Sequence, residues 1–172
     1  MSQQTQNLMK KISIAKVVLN MGIGKSGEPI EIGKKALEQI TGKKPNERNA
    51  KKAQRDWGVR KGEPIGIAVT VRDNDATELL KRLLIVKDNQ IKEKAFDNEG
   101  NLSFGIKEHI DIPEIKYDPK IGILGLEVSI SLSRPGFNIK LNKRKMKVGK
   151  NHRITKNDAI KFLTEEFGVK VV

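Results

Sequence analysis

Hydrophobic positions along this chain switch between two spacings. Residues 12–19, "ISIAKVVL", read as a first strand, with Ile12 and Ile14 alternating before a Val-Val-Leu run. A helical period follows over 29–40, where Ile32, Ala36, Leu37 and Ile40 form one stripe. Pro29 suits the first turn of that helix, and Gly42 stands where it should stop. Residues 43–62 have no sustained apolar period and are expected to form a long polar hairpin or loop. "PIGIAVTVR", 64–72, is the plainest strand of all. Asp75-x-x-Glu78 then has the form of a capping box opening a helix that carries Leu79, Leu80, Leu83 and Leu84. "NLSFGIKEHID" and "GLEVSISLS" predict two more strands, joined by the Pro-containing connection "IPEIKYDPKIGIL". Thr155 and Asp158 mark the start of a last helix, with Ile160, Phe162 and Leu163 as core candidates and Gly168 as its stop.

The order β-α-loop-β-α-β-β-α predicts an α+β fold, a mostly antiparallel sheet with helices packed on one face, plus extended basic loops. The 172 residues suffice for one domain with a core that needs no metal or disulfide. No internal repeat, low-complexity block or long linker divides them. Residues 1–10 are expected to be flexible and 133–153 to form a basic loop, mobile until its like charges meet a counter-charge.

Charge sharpens this picture. Thirty-four Lys and Arg against 21 Asp and Glu give a net charge of +13. Residues 43–62 hold eight basic and two acidic side chains, and 133–153 hold eight basic and no acidic ones, so the rest of the chain is close to neutral. Two cationic segments on a near-neutral body are the footprint of a polyanion binder. The alternative is a pair of solvated loops that only aid solubility.

Other chemistries find little support. With no cysteine, disulfides, thiolate metal sites and cysteine nucleophiles are excluded. The start lacks a hydrophobic signal core and the aliphatic runs are too short to span a bilayer, so a cytoplasmic location with no membrane partner is expected. Gly22-x-Gly24-x-x-Gly27 has dinucleotide-fingerprint spacing. The segment after the first helix, "KKPNERNAKK", nevertheless lacks the second hydrophobic strand that such a fold needs. "GKS" resembles the end of a P-loop, yet Leu19 stands where the first glycine belongs. His109 and His152 lie far apart and neither belongs to a metal-binding spacing. His109 is therefore expected to be a polar member of a sheet. No catalytic residue, metal site or cofactor is expected.

Nucleic acid remains, and composition narrows the kind. Five Phe, one Trp and one Tyr are too few for a single-strand stacking platform, so the expected target is the phosphate surface and shape of folded RNA. Trp57, between Arg55 and Arg60, either stacks on an exposed base or ribose or anchors its loop by packing.

Five stretches occur in order: "VVLNMGIGKSG", "LEQITGKKP", "WGVRKGEPIGIAVTVR", "FGIKEHIDIPEIKYDP" and "IGILGLEVSISLSRPGF". They resemble the large-subunit ribosomal protein five family, whose eukaryotic counterpart is called protein eleven. The resemblance runs from about Lys11 to the C-terminus. The segment "RPGFNIKLNKRKMKVGKNHRIT" is similar to archaeal and eukaryotic members, which points to an archaeal-type protein. The resemblance implies a ribosomal protein that binds 5S rRNA and helps attach it, with large-subunit rRNA, in the central protuberance beside neighbouring proteins. It also implies a place near P-site tRNA and a bridge to a protein of the small-subunit head. Carried over by position, Asn20, Lys43, Trp57 and Thr70 are rRNA-contact candidates. Lys43 stands where bacterial relatives tend to have glutamine and Trp57 where they tend to have phenylalanine. Gly22 and Gly24 are expected to give unusual torsions or close approach, and Lys25, Arg72, Arg134, Lys143, Arg144, Lys145 and Arg153 to meet rRNA phosphates. The loop 50–61 corresponds to a tRNA-facing hairpin, with Lys51, Lys52 and Arg55 as the contacts. The readings left beside this one are an RNA-binding assembly or regulatory factor outside the ribosome, and a small nucleotide-binding enzyme using the glycine loop.

Overall fold

The computed structural model describes every residue except 1–6, 25, 114, 116–118, 120 and 141–146. Of the start expected to be flexible, residues 1–6 thus lie outside the described residues, and Leu8–Lys10 form a 3-10 turn. The centre of the molecule is a five-stranded antiparallel sheet in the order β2-β3-β1-β6-β5. The strands are β1 (Ser13–Gly22), β2 (Asn46–Asn49), β3 (Pro64–Val71), β5 (Leu102–Ile106) and β6 (Leu126–Ser133). A separate parallel pair, β4 (Gln90–Ile91) with β7 (Lys170–Val171), ties the chain's end back to its middle.

Alternation along each strand decides which face is covered. Val17, Leu19 and Met21 of β1, Ile67, Val69 and Val71 of β3, and Val128, Ile130 and Leu132 of β6 are buried on one side. Against them lie α1 (Glu28–Thr41) with Ile30, Ala36, Leu37 and Ile40, and α2 (Asp73–Ile85) with Leu79, Leu80, Leu83 and Leu84. Ala159 and Leu163 of α3 (Lys156–Phe167) join the same continuous core. Removing one of these leucines to Ala opens a cavity worth about 2–5 kcal/mol. The α+β layering read from the sequence is the observed one.

Local chemistry sets the helix ends. Gly42 and Gly168 take left-handed torsions after α1 and α3, positions a side chain would strain. Thr155 and Asp158, expected to mark the start of α3, form a capping box there, each side chain accepting the other residue's backbone N–H. Ala159 and Leu163 are buried, whereas Ile160 and Phe162 lie at the core's edge.

The structure corrects three expectations and refines a fourth. β1 continues through Gly22, because Asn20, Met21 and Gly22 keep pairing with Ala68, Ile67 and Gly66. α2 begins at Asp73, with Arg72 as its cap and no side-chain capping bond; the Asp75 carboxylate instead meets Lys43. The segment 43–62 is the expected polar hairpin, in which β2 is a wholly exposed strand that no hydrophobic period could reveal. β5 ends at Ile106, and His109 lies in a 3-10 turn (His109–Asp111) instead of a sheet. That ring is 1% exposed; its Nδ1 accepts the Leu124 N–H at 3.3 Å, and the His109 N–H donates to the Leu124 carbonyl at 3.0 Å. His109 therefore fastens the connection between β5 and β6.

Candidate nucleic-acid interface

Among the described residues, no α-helix layer covers the other face of the sheet. The alternation that buries Val17 and Leu19 turns Lys16, Val18 and Asn20 the opposite way. Thr70, Asn46, Arg48, Ser103, Ser129 and Ser131 share that side by register. These side chains are small or polar, and most are exposed. A sheet face that carries serines, two asparagines, cations and one carboxylate, Glu127, in place of an apolar stripe is suited to a polar, charged partner.

Asn20 and Thr70, two of the predicted contacts, are both on this face. Asn20 lies opposite Glu127, and its Nδ2 donates to Glu127 Oε2 at 3.3 Å. Its amide therefore reaches across the strand and does not bond its own backbone. Thr70 is exposed in an open hollow of about 520 Å³ at the β2–β3 edge, with Lys43, Lys44, Asn46 and Arg48. Sequence reading missed Asn46 and Arg48, since their strand is recognisable only by its pairing with β3. Lys43 is already engaged: its ammonium stands 2.6 Å from Asp75 Oδ2. That hydrogen bond holds the Asp75 carboxyl below the usual carboxylate range.

Beyond β2 the chain forms an exposed arm. At its base, Ala50 exchanges backbone hydrogen bonds with Glu63 and Gly62, and Gln54 pairs with Val59 nearer the tip. The 3-10 turn Arg55–Trp57 closes the tip, with Gly58 at a φ of 67°. Lys51, Lys52 and Arg55 are exposed, and among the described residues none is held by an ion pair. Trp57 is 79% exposed, so the packing alternative does not hold. An unburied indole on a cationic arm is a ready stacking surface.

The glycine loop is arranged differently from a phosphate cradle. The N–H groups of Ile23 and Gly24 both donate to the Ile65 carbonyl, at 3.0 and 2.8 Å, folding the loop onto β3. Gly24 does need its positive φ of 78°. Gly22, by contrast, is an ordinary strand residue with open space where a Cβ would stand. Ser26 donates to the Glu63 carboxylate, which also accepts the Arg60 N–H at 2.9 Å. These bonds, Ser26 first, hold the Glu63 carboxyl below its ordinary range. A persistent carboxylate here, with Glu28 and Glu31 in the first turn of α1, repels a nucleotide phosphate. Lys25 lies outside the described residues.

The second cationic segment is partly folded into the body. Arg134, whose side chain is only 10% exposed, donates to Asp158 Oδ2 at 3.2 Å and to the carbonyls of His152 and Arg153 at 3.5 and 3.2 Å. Arg153 Nε donates to the Val148 carbonyl at 3.3 Å. His152 Nε2 lies 2.8 Å from the Pro135 carbonyl, and the ring packs edge-on to Phe137. Arg134, His152 and Arg153 of this segment are thus tied to carbonyls and a carboxylate within the fold. Lys143, Arg144 and Lys145 lie outside the described residues. Arg72 is exposed at the end of β3, beside this segment and well away from the arm. No cluster of residues able to hold a metal ion occurs among the described residues, and no described helix is long and apolar enough to cross a membrane.

Comparison with known proteins supplies an independent finding. A family model described as ribosomal protein L5 matches residues 7–60, and a companion model for the C-terminus of that ribosomal family matches 64–162. The large ribosomal subunit protein uL5 of Nitrosopumilus maritimus is 63% identical over 172 residues, covering 99% of both chains. Its namesake in Cenarchaeum symbiosum is 58% identical over 95% of this chain and 98% of its own. That of Sulfolobus acidocaldarius is 42% identical over 97% and 94%.

Proposed function

The chain belongs to the ribosomal L5 protein family and is a structural constituent of the large ribosomal subunit, and we propose that within the subunit it binds 5S rRNA. The observation that carries this reading is the uncovered sheet face, polar and largely cationic, running into an arm whose Lys51, Lys52 and Arg55 have no ion-pair partner among the described residues. Lys44, Arg48 and Arg72 neutralise phosphates, while Asn20 and Thr70 set register. Lys43 joins them when a phosphate displaces Asp75. Trp57 stacks on an unpaired base or ribose. The arm, through Lys51, Lys52 and Arg55, faces P-site tRNA, and the bridge to the small-subunit head belongs to the same reading through family membership. Lys25, Lys143, Arg144 and Lys145 extend the rRNA contacts.

Binding of purified 5S rRNA across a salt series tests this. With about six phosphate contacts, affinity falls roughly a thousandfold between about 50 and 200 mM salt. Reversing the charges of Lys51, Lys52 and Arg55 should weaken tRNA-dependent steps more than 5S rRNA binding. Equal losses would mean that the arm and the sheet serve one RNA. Sedimentation distinguishes the remaining alternative: a factor acting outside the ribosome stays at the top of the gradient, whereas a subunit constituent travels with large subunits through moderate salt.

A further inference from the structure

The glycine loop and the arm meet at one carboxylate. Glu63 closes the arm and directly precedes β3, and both of its oxygens are in use. Oε1 accepts the Ser26 hydroxyl, while Oε2 accepts the Arg60 N–H at 2.9 Å. Ser26 stands on a firm footing. On one side of it the Ile23 and Gly24 N–H groups hold the loop to the Ile65 carbonyl, and on the other Gly27 turns at a φ of 87° into α1. The arm has little else to fix its direction. Among the described residues, no side chain of 51–61 makes a hydrogen bond or ion pair outside the arm. At the root, Ala50 bonds Glu63 and Gly62 through the backbone, and Gly62 has a φ of 85°. One such point of attachment lets an exposed hairpin swing on the nanosecond-to-microsecond scale. A carboxylate at the root of a cationic arm also weakens the arm's pull on phosphates, so it calls for a use of another kind.

We propose that Glu63 is a positioning residue: with Ser26 it forms a strut that fixes the direction of the arm, so that Lys51, Lys52 and Arg55 meet tRNA already ordered. The inference rests on the tRNA-facing reading of the arm and adds what holds the arm in place. One carboxylate oxygen grips the body and the other grips the arm's own backbone, so a single planar group braces the two against each other. An arm that swings bears the cost of ordering when it binds, and an arm already held does not. The Gly22-x-Gly24-x-x-Gly27 spacing acquires a purpose here. Positive torsions at Gly24 and Gly27 bend the chain on either side of Ser26, which brings its hydroxyl to the root of the arm. Glu63 itself touches no RNA in this scheme; it acts through the residues it holds.

Trp57, the chain's single tryptophan, stands at the tip of the arm and reports its motion without a label. The full chain is compared with Ser26→Ala, Glu63→Gln and Glu63→Ala by time-resolved anisotropy of that indole and by thermal melting. Large subunits carrying each variant are then titrated with P-site tRNA. Ser26→Ala and Glu63→Ala should each about double the amplitude of the nanosecond component, with the melting temperature unchanged. Glu63→Gln, whose amide keeps one acceptor oxygen, should fall between wild type and Glu63→Ala. If the released arm holds the competent direction for about one-fifth of the time, tRNA affinity falls about fivefold in Glu63→Ala. Unchanged anisotropy would overturn the proposal, and so would a change in Glu63→Ala that Ser26→Ala does not share, since the carboxylate would then serve only the arm's own turn. A lower melting temperature in both variants, or a mobile arm with unaltered tRNA affinity, would overturn it as well. Reversed charges at Lys51, Lys52 and Arg55 that left tRNA affinity intact would instead bring down the tRNA reading, while the anisotropy would still decide whether Glu63 directs the arm.

Discussion

Residues 43–62 and 133–153 look interchangeable as sequence, each with eight basic side chains. In the fold they are opposites. Beyond β2 the first projects as an arm whose Lys51, Lys52, Arg55 and Trp57 face solvent. The second turns Arg134 inward, and Arg134 with the more exposed Arg153 reaches three backbone carbonyls and the Asp158 carboxylate that also caps α3, while Lys147 and Lys150 stay exposed. Charge density in a sequence therefore locates cations without saying whether they serve a partner or the fold. The local supply of acceptors decides. Near Arg134 there are a helix cap and turn carbonyls, whereas among the described residues no carboxylate pairs with Lys51, Lys52 or Arg55.

The largest expected effect tests the inward half of this contrast. Arg134→Ala removes an ion pair that is mostly buried and leaves carbonyls and a carboxylate without their donor, which should lower stability by about 2–4 kcal/mol in urea denaturation. Arg55→Ala on the arm should change it by less than about 0.5 kcal/mol. A small effect at Arg134 would erase the distinction. Next comes the outward half: Trp57→Ala should leave the melting temperature unchanged while weakening RNA binding by about 1–3 kcal/mol in the same titration. Thr155→Ala should cost about 1 kcal/mol of stability through the lost cap, with no matching effect on RNA affinity.

The smallest effect concerns Lys43, which sits between the two modes. Asp75→Asn should free its ammonium and tighten RNA binding a few-fold. The same variant should flatten the acid limb of stability. The Asp75, Glu63 and Glu93 carboxyls are depressed by Lys43, Ser26 and Lys156 respectively. Their contribution is complete above the ordinary carboxylate value near 4 and disappears as pH falls through their lowered values. Lys34 is raised, chiefly by Glu31 and then Glu47, so its contribution holds at neutral pH and is lost only as pH rises through its raised value. Melting temperature followed against pH, with and without Asp75→Asn, reads both limbs.

How much was legible in the sequence follows the same physics. β3, β6, α1 and α3 announce themselves because one face of each is apolar and period reports burial. β2 could not, since "NERN" buries nothing and owes its conformation to hydrogen bonds from β3. Asp75 imitated a cap because the motif is local, while its actual partner, Lys43, comes from another segment. At the candidate interface, the arm's cations were visible as charge in an unpatterned stretch, whereas Asn20 and Thr70 came only from the family resemblance by position. Lys16 was visible in neither way, because only the pairing of β1 with β3 and β6 brings it beside Arg72 and Ser131. The glycine pattern misled for a related reason: spacing cannot show that the Ile65 carbonyl already takes the loop's N–H groups.

One consequence of β2 concerns the protein before it is assembled. An open sheet rim is a template on which further chains can add and polymerise. Here that rim is a four-residue strand with every side chain exposed, carrying Glu47 and Arg48 and interrupted by a register shift between Arg48 and Asn49. Brevity, formal charge and a kink each discourage a second copy from docking. Newly made molecules awaiting their RNA should therefore stay monodisperse at concentrations where a smooth valine-rich rim would seed fibrils.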